Sequence, residues 1–525
     1  MMRGRRRSGT RYRVFLINPR FRLKHYAAQH ELSRLFGKRK VTVPLALPIL
    51  AALTPDTYDV RIIDDEDEDI PWGERPDLVG ITTTVTTADR AYEIADIYRA
   101  LGVPVVLGGS YVTFVPDEAL AHADSVVVGE AEGAWQRLLE DFERGSLART
   151  YQAAERVSYA RSPVPRWDLV DTSAIMTIFV HASRGCPFNC EFCLVQKMFG
   201  RKMRCRDIDD VISEIEALPL KTIFFADDNL TLKRPWAKEL MRRLRPLGIS
   251  FICQASVDVA DDEELLGLMA AAGCVGILVG FESLDPDALR ETRKTQNKVQ
   301  EYEGAVRRIH SHGIHVFGSF VVGFDADTLD TFDAIVDFVE RNDMMYPILS
   351  ILAVAPGTDI HDRMRAAGRL TDVPNQMING IFPGIHYARM SQVELLDRYQ
   401  QTLQRLLMFE SAGQRVLRLA RSGWFRDEGS SGVGIREKLV TSLRMLRAFL
   451  LSPDPARRRV FFELFDLHRQ GLVAMDRVVM MLLTIEANAR WMESTDGLFR
   501  SARRRIAAQD RGPWLTASRE GEGAA

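Results

Sequence analysis

Three cysteines, Cys186, Cys190 and Cys193, stand close together in the stretch "SRGCPFNCEFCLVQ", and nothing comparable occurs elsewhere in the chain. The spacing C-x3-C-x2-C puts three soft thiolate donors on one loop, and thiolates bind zinc or iron–sulfur clusters. Both sites normally use four ligands, so this set is one short. A zinc site would need His181, the nearest histidine, but structural zinc sites usually come as two separated ligand pairs, which disfavours zinc here. Cys205, Cys253 and Cys274 are scattered singly. That is not the even, dense pattern of a secreted disulfide framework, and a reducing cytoplasm is expected.

The elements that must hold this loop are legible on both sides of it. It follows the apolar run "IMTIFVHA" directly and contains Gly185, Pro187 and Asn189, the signature of a strand ending in a loop. From 175 to 360 such runs alternate with helical patterns: "TIFFADD", "SFICQAS", "GILVGFES", "HVFGSFVVGF" and "ILSILAVAP" are the further strands. Six βα units fall short of the eight that close a full barrel, so a partial barrel, open on one side, is expected. Residues 1–150 alternate too, with strands at 13–18, 58–64, 78–84, 103–109 and 125–130. Short apolar strands between helices predict a doubly wound, Rossmann-like parallel sheet. Ligands on such α/β sheets bind beyond the carboxyl ends of the strands, where Thr82 to Thr84, Gly108 to Tyr111 and Gly129-Glu130 fall. Residues 151–174, with Pro163 and Pro165 and no clear period, read as a linker; 361–510 lose the strand signal and turn helical; 511–525 read as a disordered tail.

With 525 residues, 46% hydrophobic and 27% charged, the chain has room for two or three ordinary globular domains. Its basic N-terminus runs into only about four apolar residues before Asn18 and Pro19, too few for a signal peptide. No window reaches the roughly 18 uncharged apolar residues of a spanning helix. A soluble or peripheral protein is expected. The net charge of −2 hides an asymmetry: from Gln401 onward there are 21 Lys and Arg against 14 Asp and Glu. Such a tail favours anionic surfaces. Within it, "LRMLRAFLLSPDPARRRVFFELFDLHRQ" alternates Arg with Leu and Phe at helical spacing, as an interfacial helix would. A packed helix with a solvated arginine face is the plainer reading.

The cysteine stretch resembles the radical S-adenosylmethionine (SAM) enzymes, whose signature is C-x3-C-x-aromatic-C, with Phe192 as the aromatic. The resemblance implies a [4Fe-4S] cluster on Cys186, Cys190 and Cys193 with its fourth iron left for SAM, and cleavage of SAM to a 5'-deoxyadenosyl radical on reduction. It also implies an electron donor such as flavodoxin or ferredoxin, and no nucleic-acid partner. "FFADDN" resembles the family segment that holds the SAM amino group, which assigns Asp227, Asp228 and Asn229 to SAM together with Phe192; an N-cap is the alternative for Asn229. "GILVGFES" resembles the later strand whose Glu282 and Ser283 lie near the SAM ribose and carboxylate. "GSFVVGFDADT" and "APGT" complete the run.

The first block, through "VVLGGSYVTFVPDEAL" and "VVVGEAEGAW", resembles the cobalamin-binding domain that often precedes a radical SAM core. The resemblance assigns Thr83, Thr84, Gly108, Gly109, Ser110, Tyr111, Gly129 and Glu130 to cobalamin. The Asp-x-His-x-x-Gly motif is absent, and none of His25, His30 and His122 has that context. Relatives commonly hold cobalamin without the histidine. A cobalamin-free Rossmann-like domain is the competing reading. With both cofactors the chemistry resembles that of cobalamin-dependent radical SAM methylases, acting on an unactivated carbon of a small, lipid-like molecule. The start of the third block loosely resembles the C-terminal extension of proteins that include hopanoid methylases. The alternatives are an oxidative cyclase of the anaerobic porphyrin ester cyclase type and a non-enzymatic cobalamin or cluster sensor. A methylthiotransferase would carry further cysteines for a second cluster.

Overall fold

A computed structural model describes residues 11–23, 27–160, 162–426, 441 and 443–507; the expected tail at 511–525 lies outside the described residues, as does His25. The first six strands are β1 (Tyr12–Asn18), β2 (Tyr58–Asp64), β3 (Leu78–Thr82), β4 (Val105–Gly108), β5 (Ser125–Val128) and β6 (Thr150–Gln152). They form one parallel sheet in the order β2-β1-β3-β4-β5-β6. Side chains of a strand alternate between faces, and β1 divides accordingly. Phe15 and Ile17 pack with the helix Ala88–Ala100, while Val14 and Leu16 pack with Ala46–Leu53 and Trp135–Glu143. Both faces are covered, which is why these strands read as unbroken apolar runs. The strand β6 falls at the edge of the stretch expected to be linker. Tyr151 is its one buried residue, so three residues carried no period to detect.

The linker leads to β7 (Ile178–Val180) and then to a two-residue antiparallel ribbon, β8 (Ser183–Arg184) against β9 (Arg204–Cys205), which brackets the cysteine loop. The strands β10 (Thr222–Phe225), β11 (Ser250–Ala255), β12 (Cys274–Glu282), β13 (His315–Val322) and β14 (Ile348–Ile351) follow. The second sheet is parallel in the order β14-β13-β12-β11-β10-β7. Each unit is laid beside the one before it, so six units curve into an open half-barrel.

An open barrel leaves two edge strands with unpaired backbone groups, and both are covered. At β14 the Ile351 N–H donates to Gly380 O at 2.6 Å, and the Tyr399 hydroxyl, from helix Gln392–Leu407, donates to Leu349 O at 3.0 Å. On the opposite side, residues 40–41 of the first domain accept from Met176 and Thr177 ahead of β7. The first helix of the third block thus covers the open edge of the barrel at β14. Further helices among the described residues are Phe409–Arg421, Pro455–Arg469 and the 33-residue Met475–Ala507, whose Trp491 and Phe499 join the barrel core.

Candidate active site

The cysteine loop sits at the carboxyl end of the half-barrel, where strand ends and positive-φ turns concentrate polar groups. Gly185 opens it at φ +96°; a Cβ there would lie 2.6 Å from Lys202 O and 3.0 Å from Gly200 O. Only glycine allows the chain to pass this close to the returning segment. The loop is then tied by Cys186 N–H to Gly200 O (3.2 Å) and Cys193 N–H to Cys190 O (3.1 Å). Burial pushes the Cys193 thiol up to about 12 and raises Cys186, and the neighbouring thiols raise both further. Thiols raised in this way, as Cys186 and Cys193 are, become thiolates on binding a polyvalent cation. Among the described residues no three His, Cys, Asp or Glu side chains converge on a point fit for a single metal ion.

Glu191, between Cys190 and Phe192, is buried and fixes the loop from the far side. Arg363, on helix Asp359–Ala366, takes both of its oxygens at 2.8 and 3.1 Å and reaches Glu291 at 2.9 Å and Asp325 at 3.2 Å. Glu191 N–H donates to Thr292 O, and Ile360 N–H donates to Glu191 O. Bidentate guanidinium–carboxylate pairs fix geometry as well as charge. Phe192 packs against the barrel core, its ring 6.2 Å from that of Phe324.

The residues expected at SAM converge on this loop, but several already have protein partners. Asp227 is fully buried; it accepts from Ala182 N–H at 3.0 Å and from the Ser183 hydroxyl, and burial pushes it up to about 7. Asp228 accepts from Gly185 N–H at 3.0 Å. Both therefore brace the backbone leading into the cysteines. Asn229 accepts from Thr231 N–H and hydroxyl and donates to Ser256, so its amide closes its own turn. That is a local turn rather than a helix N-cap, since the next helix, Arg234–Leu244, starts from Lys233. Glu282 ends β12 at φ +63°, a conformation costing a non-glycine residue about 1–3 kcal/mol and typical of functional sites. Its carboxylate meets Lys294 Nζ at 2.8 Å, and a Cβ on Gly280 would lie 2.3 Å from Glu282 Oε1. Burial works against the Lys294 charge, yet Glu282 and the neighbouring cysteines hold its pKa above the ordinary lysine value. Ser283 accepts from Asp285 N–H. The Gln296 amide approaches Cys190 Sγ at 3.7 Å. Lys294, Gln296 and Glu191 carried no sequence signal beyond being polar, since only folding brings them to the thiols.

At the carboxyl edge of the first sheet, the expected cobalamin residues divide into two kinds. Gly109, at φ +104°, presses on the Thr83 backbone: a Cβ would meet Thr83 O at 2.4 Å, and Thr83 N–H and hydroxyl both donate to Gly108 O at 2.8 Å. Tyr111 is buried and donates to Glu118. The two oxygens of Glu130 are both engaged by arginines of the barrel domain. Open positions remain. Thr84 is exposed and Ser110 partly so, nothing lies within 4 Å of a Cβ on Gly129, and Gly108 makes only ordinary contact with Val127. This strip of small residues fits a flat, bulky ligand lying on the sheet edge.

That edge faces the half-barrel. Phe114, following Ser110 and Tyr111, packs its ring against Gly357 of "APGT", where a Cβ would lie 2.4 Å from it. Arg184, two residues before Cys186, reaches Glu130 at 2.9 Å. The carboxyl edges of the two sheets are thus in direct contact.

Comparison with known proteins agrees with this arrangement. The radical SAM superfamily matches residues 180–339 and the B12 binding domain matches residues 39–139. The bacteriochlorophyllide d C-12(1)-methyltransferase of Chlorobaculum tepidum is 32% identical over 348 residues, 64% of this chain and 76% of that protein. The hopanoid C-2 methylase of Rhodopseudomonas palustris is 27% identical over 389 residues, 70% of this chain and 73% of that protein. Among solved structures, the radical SAM methyltransferase TsrM from Kitasatospora setae, with cobalamin and a [4Fe-4S] cluster bound, superposes with a TM-score of 0.58 at 18% identity, over 88% of this chain and all of that one. That likeness is one of fold. The cofactors of such proteins are a [4Fe-4S] cluster, SAM and cobalamin. Among the described residues no helix is long and apolar enough to cross a membrane. With both domain types matched and relatives that are methyltransferases, the chain belongs to the radical SAM superfamily, in the class that carries a B12-binding domain.

Proposed function

We propose that the protein is a cobalamin-dependent radical SAM C-methyltransferase acting on an unactivated carbon of a small molecule. The observation that carries this reading is the contact of the first sheet's carboxyl edge with the chain around the cysteine loop, through Phe114 with Gly357 and Glu130 with Arg184. Residues 1–150 would hold cobalamin, 175–360 the cluster and SAM, and 361–510 would close the substrate side. When bound, the cluster with SAM supplies a radical able to take hydrogen from carbon, and cobalamin supplies the methyl group. The chain's own part is positional. Cys186, Cys190 and Cys193 offer the iron ligands, Asp227 and Asp228 brace their loop, and Glu282 with Lys294 presents a buried, strained ion pair beside the thiols. The covered barrel edges keep water from entering sideways. An acidic redox protein such as flavodoxin or ferredoxin would supply the electron. A ring-closing outcome has less support, since the relatives at 29 to 32% identity are methyltransferases.

The test is a comparison of small-molecule extracts from a deletion strain and its parent, grown with methyl-labelled methionine. A species carrying one labelled carbon-bound methyl group in the parent, replaced by its unmethylated form in the deletion strain, is the expected result. A pair differing by loss of hydrogen and a new ring would instead indicate a cyclase.

The substrate is proposed to be lipid-like because the helical region offers a way to reach a membrane surface. Leu443, Leu446 and Leu451 are 59%, 41% and 69% exposed, and Phe462 on the next helix is 55% exposed. Arg444, Arg447 and Arg459 stand among them, exposed. Apolar side chains ringed by arginine suit the headgroup region of an anionic bilayer. Binding to phosphatidylglycerol-containing vesicles in a sedimentation assay should fall at least about tenfold when all three leucines become serine, since a leucine loses roughly 1.5 kcal/mol or more when its burial is lost. Equal binding by the triple variant would count against membrane contact here.

A further inference from the structure

The ribbon that brackets the cysteine loop is held by the other domain. In it Arg184 of β8 stands directly opposite Arg204 of β9, a pairing that places two like charges side by side. Glu130, two residues past β5, lies between them: Arg184 Nη1 reaches its Oε1 at 2.9 Å, and Arg204 takes both oxygens at 2.9 and 3.1 Å. Glu132 adds a second carboxylate to Arg184 at 2.6 Å. The charges cancel, two against two. Side-chain exposure is 8% for Arg184, 4% for Glu130 and 14% for Arg204, so water neither screens nor replaces these bonds. The Arg184 guanidinium also lies 4.3 Å from the Tyr159 ring of the linker, and Arg204 donates to Val157 O and Phe199 O. First domain, linker and cysteine loop are therefore joined through one carboxylate.

We infer that Glu130 is a positioning residue which locks the open edge of the first sheet to the ribbon carrying Cys186, fixing the spacing between the cobalamin and cluster sites. This rests on the function proposed above for the meaning of the spacing, though not for the existence of the lock. No covalent step is involved. Replacing Glu130 by Gln keeps its shape, removes its charge and leaves Arg184 and Arg204 facing each other with only Glu132 to offset them.

Two measurements on the full-length chain test this. Hydrogen exchange on the protein without added cofactors should show residues 129–134, 183–186 and 204–206 exchanging at least about tenfold faster in Glu130→Gln, with β10 to β13 unchanged. Arg204→Lys, which keeps the charge and loses the two-pronged contact, should give a smaller rise at the same sites. After anaerobic reconstitution with iron, sulfide and cobalamin, pulsed dipolar spectroscopy between cob(II)alamin and the reduced cluster should give a narrow separation in the parent and a broadened one in Glu130→Gln, at equal iron and cobalt content. Unchanged exchange, or exchange raised throughout the barrel, would overturn the inference, as would an unaltered separation. Failure of the parent to retain cobalamin would instead contradict the proposed function, while the exchange experiment still decides the lock.

Discussion

Replacing any one of Cys186, Cys190 and Cys193 with alanine is expected to abolish cluster retention and reduce SAM cleavage by well over a hundredfold. Changes to residues that merely orient metal ligands already cost about 10–100-fold, and a ligand contributes more than its support. The three positions should behave alike, because each stands for a separate iron and none can substitute for another. Burial holds Cys193 up near 12 and keeps Cys186 raised, so these two thiols do not become thiolates at neutral pH without the metal that needs them. Binding should accordingly release protons. Iron and sulfide per chain after anaerobic reconstitution, the broad visible absorbance of the cluster, and 5'-deoxyadenosine formed under dithionite are the readouts. Cys253→Ala is the matched control. Cys253 is fully buried in β11 among barrel side chains, so its loss should cost about 1 kcal/mol of stability and leave iron content unchanged. Full SAM cleavage by Cys186→Ala would refute the radical SAM reading outright.

Gly185→Ala is expected to be nearly as severe while leaving all three thiols in place. The added Cβ would sit 2.6 Å from Lys202 O, with the backbone at φ +96°. Strain at such a φ amounts to about 1–3 kcal/mol, and overpacking against backbone adds about 1–3 kcal/mol more. No flexible side chain is available to yield, because both near neighbours, Lys202 O and Gly200 O, are main-chain atoms. Relief would require parting β8 from the returning chain, which breaks Cys186 N–H to Gly200 O and Gly185 N–H to Asp228. Iron retention should fall by at least tenfold, with far-ultraviolet circular dichroism unchanged, since the barrel strands do not depend on this turn. Wild-type iron content in Gly185→Ala would show that the loop tolerates a different path. A control at Gly129, where an added Cβ meets nothing within 4 Å, should keep its iron, although its φ of +80° carries strain of its own.

The two substitutions bear on different levels of information. The thiols were legible because metal chemistry restricts the residue types and their spacing to a short local pattern. Gly185 was legible only as a loop residue; its need for glycine comes from chain that returns some fifteen positions later, at Gly200 and Lys202. The α/β blocks could be read because strands buried on both faces leave unbroken apolar runs, but β6 and the ribbon β8–β9 were too short to leave any pattern. Their boundaries are set by partners elsewhere in the chain, not by their own residues.

The candidate site shows the same division. Asp227, Asp228 and Asn229 do lie beside the cysteine loop, yet which atoms they engage was decided by backbone N–H groups that only the folded barrel brings near. Glu130 appeared in the sequence as part of a sheet-edge loop. In the structure its charge belongs to Arg184 and Arg204, more than fifty residues away. The sequence by itself determined the donor atoms, the two parallel sheets and the carboxyl edges where ligands gather, because these follow from side-chain chemistry and short-range periodicity. The tertiary structure alone decided which polar groups are already satisfied by the protein and which stay open to a cofactor. Hydrogen-bond and ion-pair partners in a buried site are chosen by proximity across the fold, and proximity is not a local property of the chain.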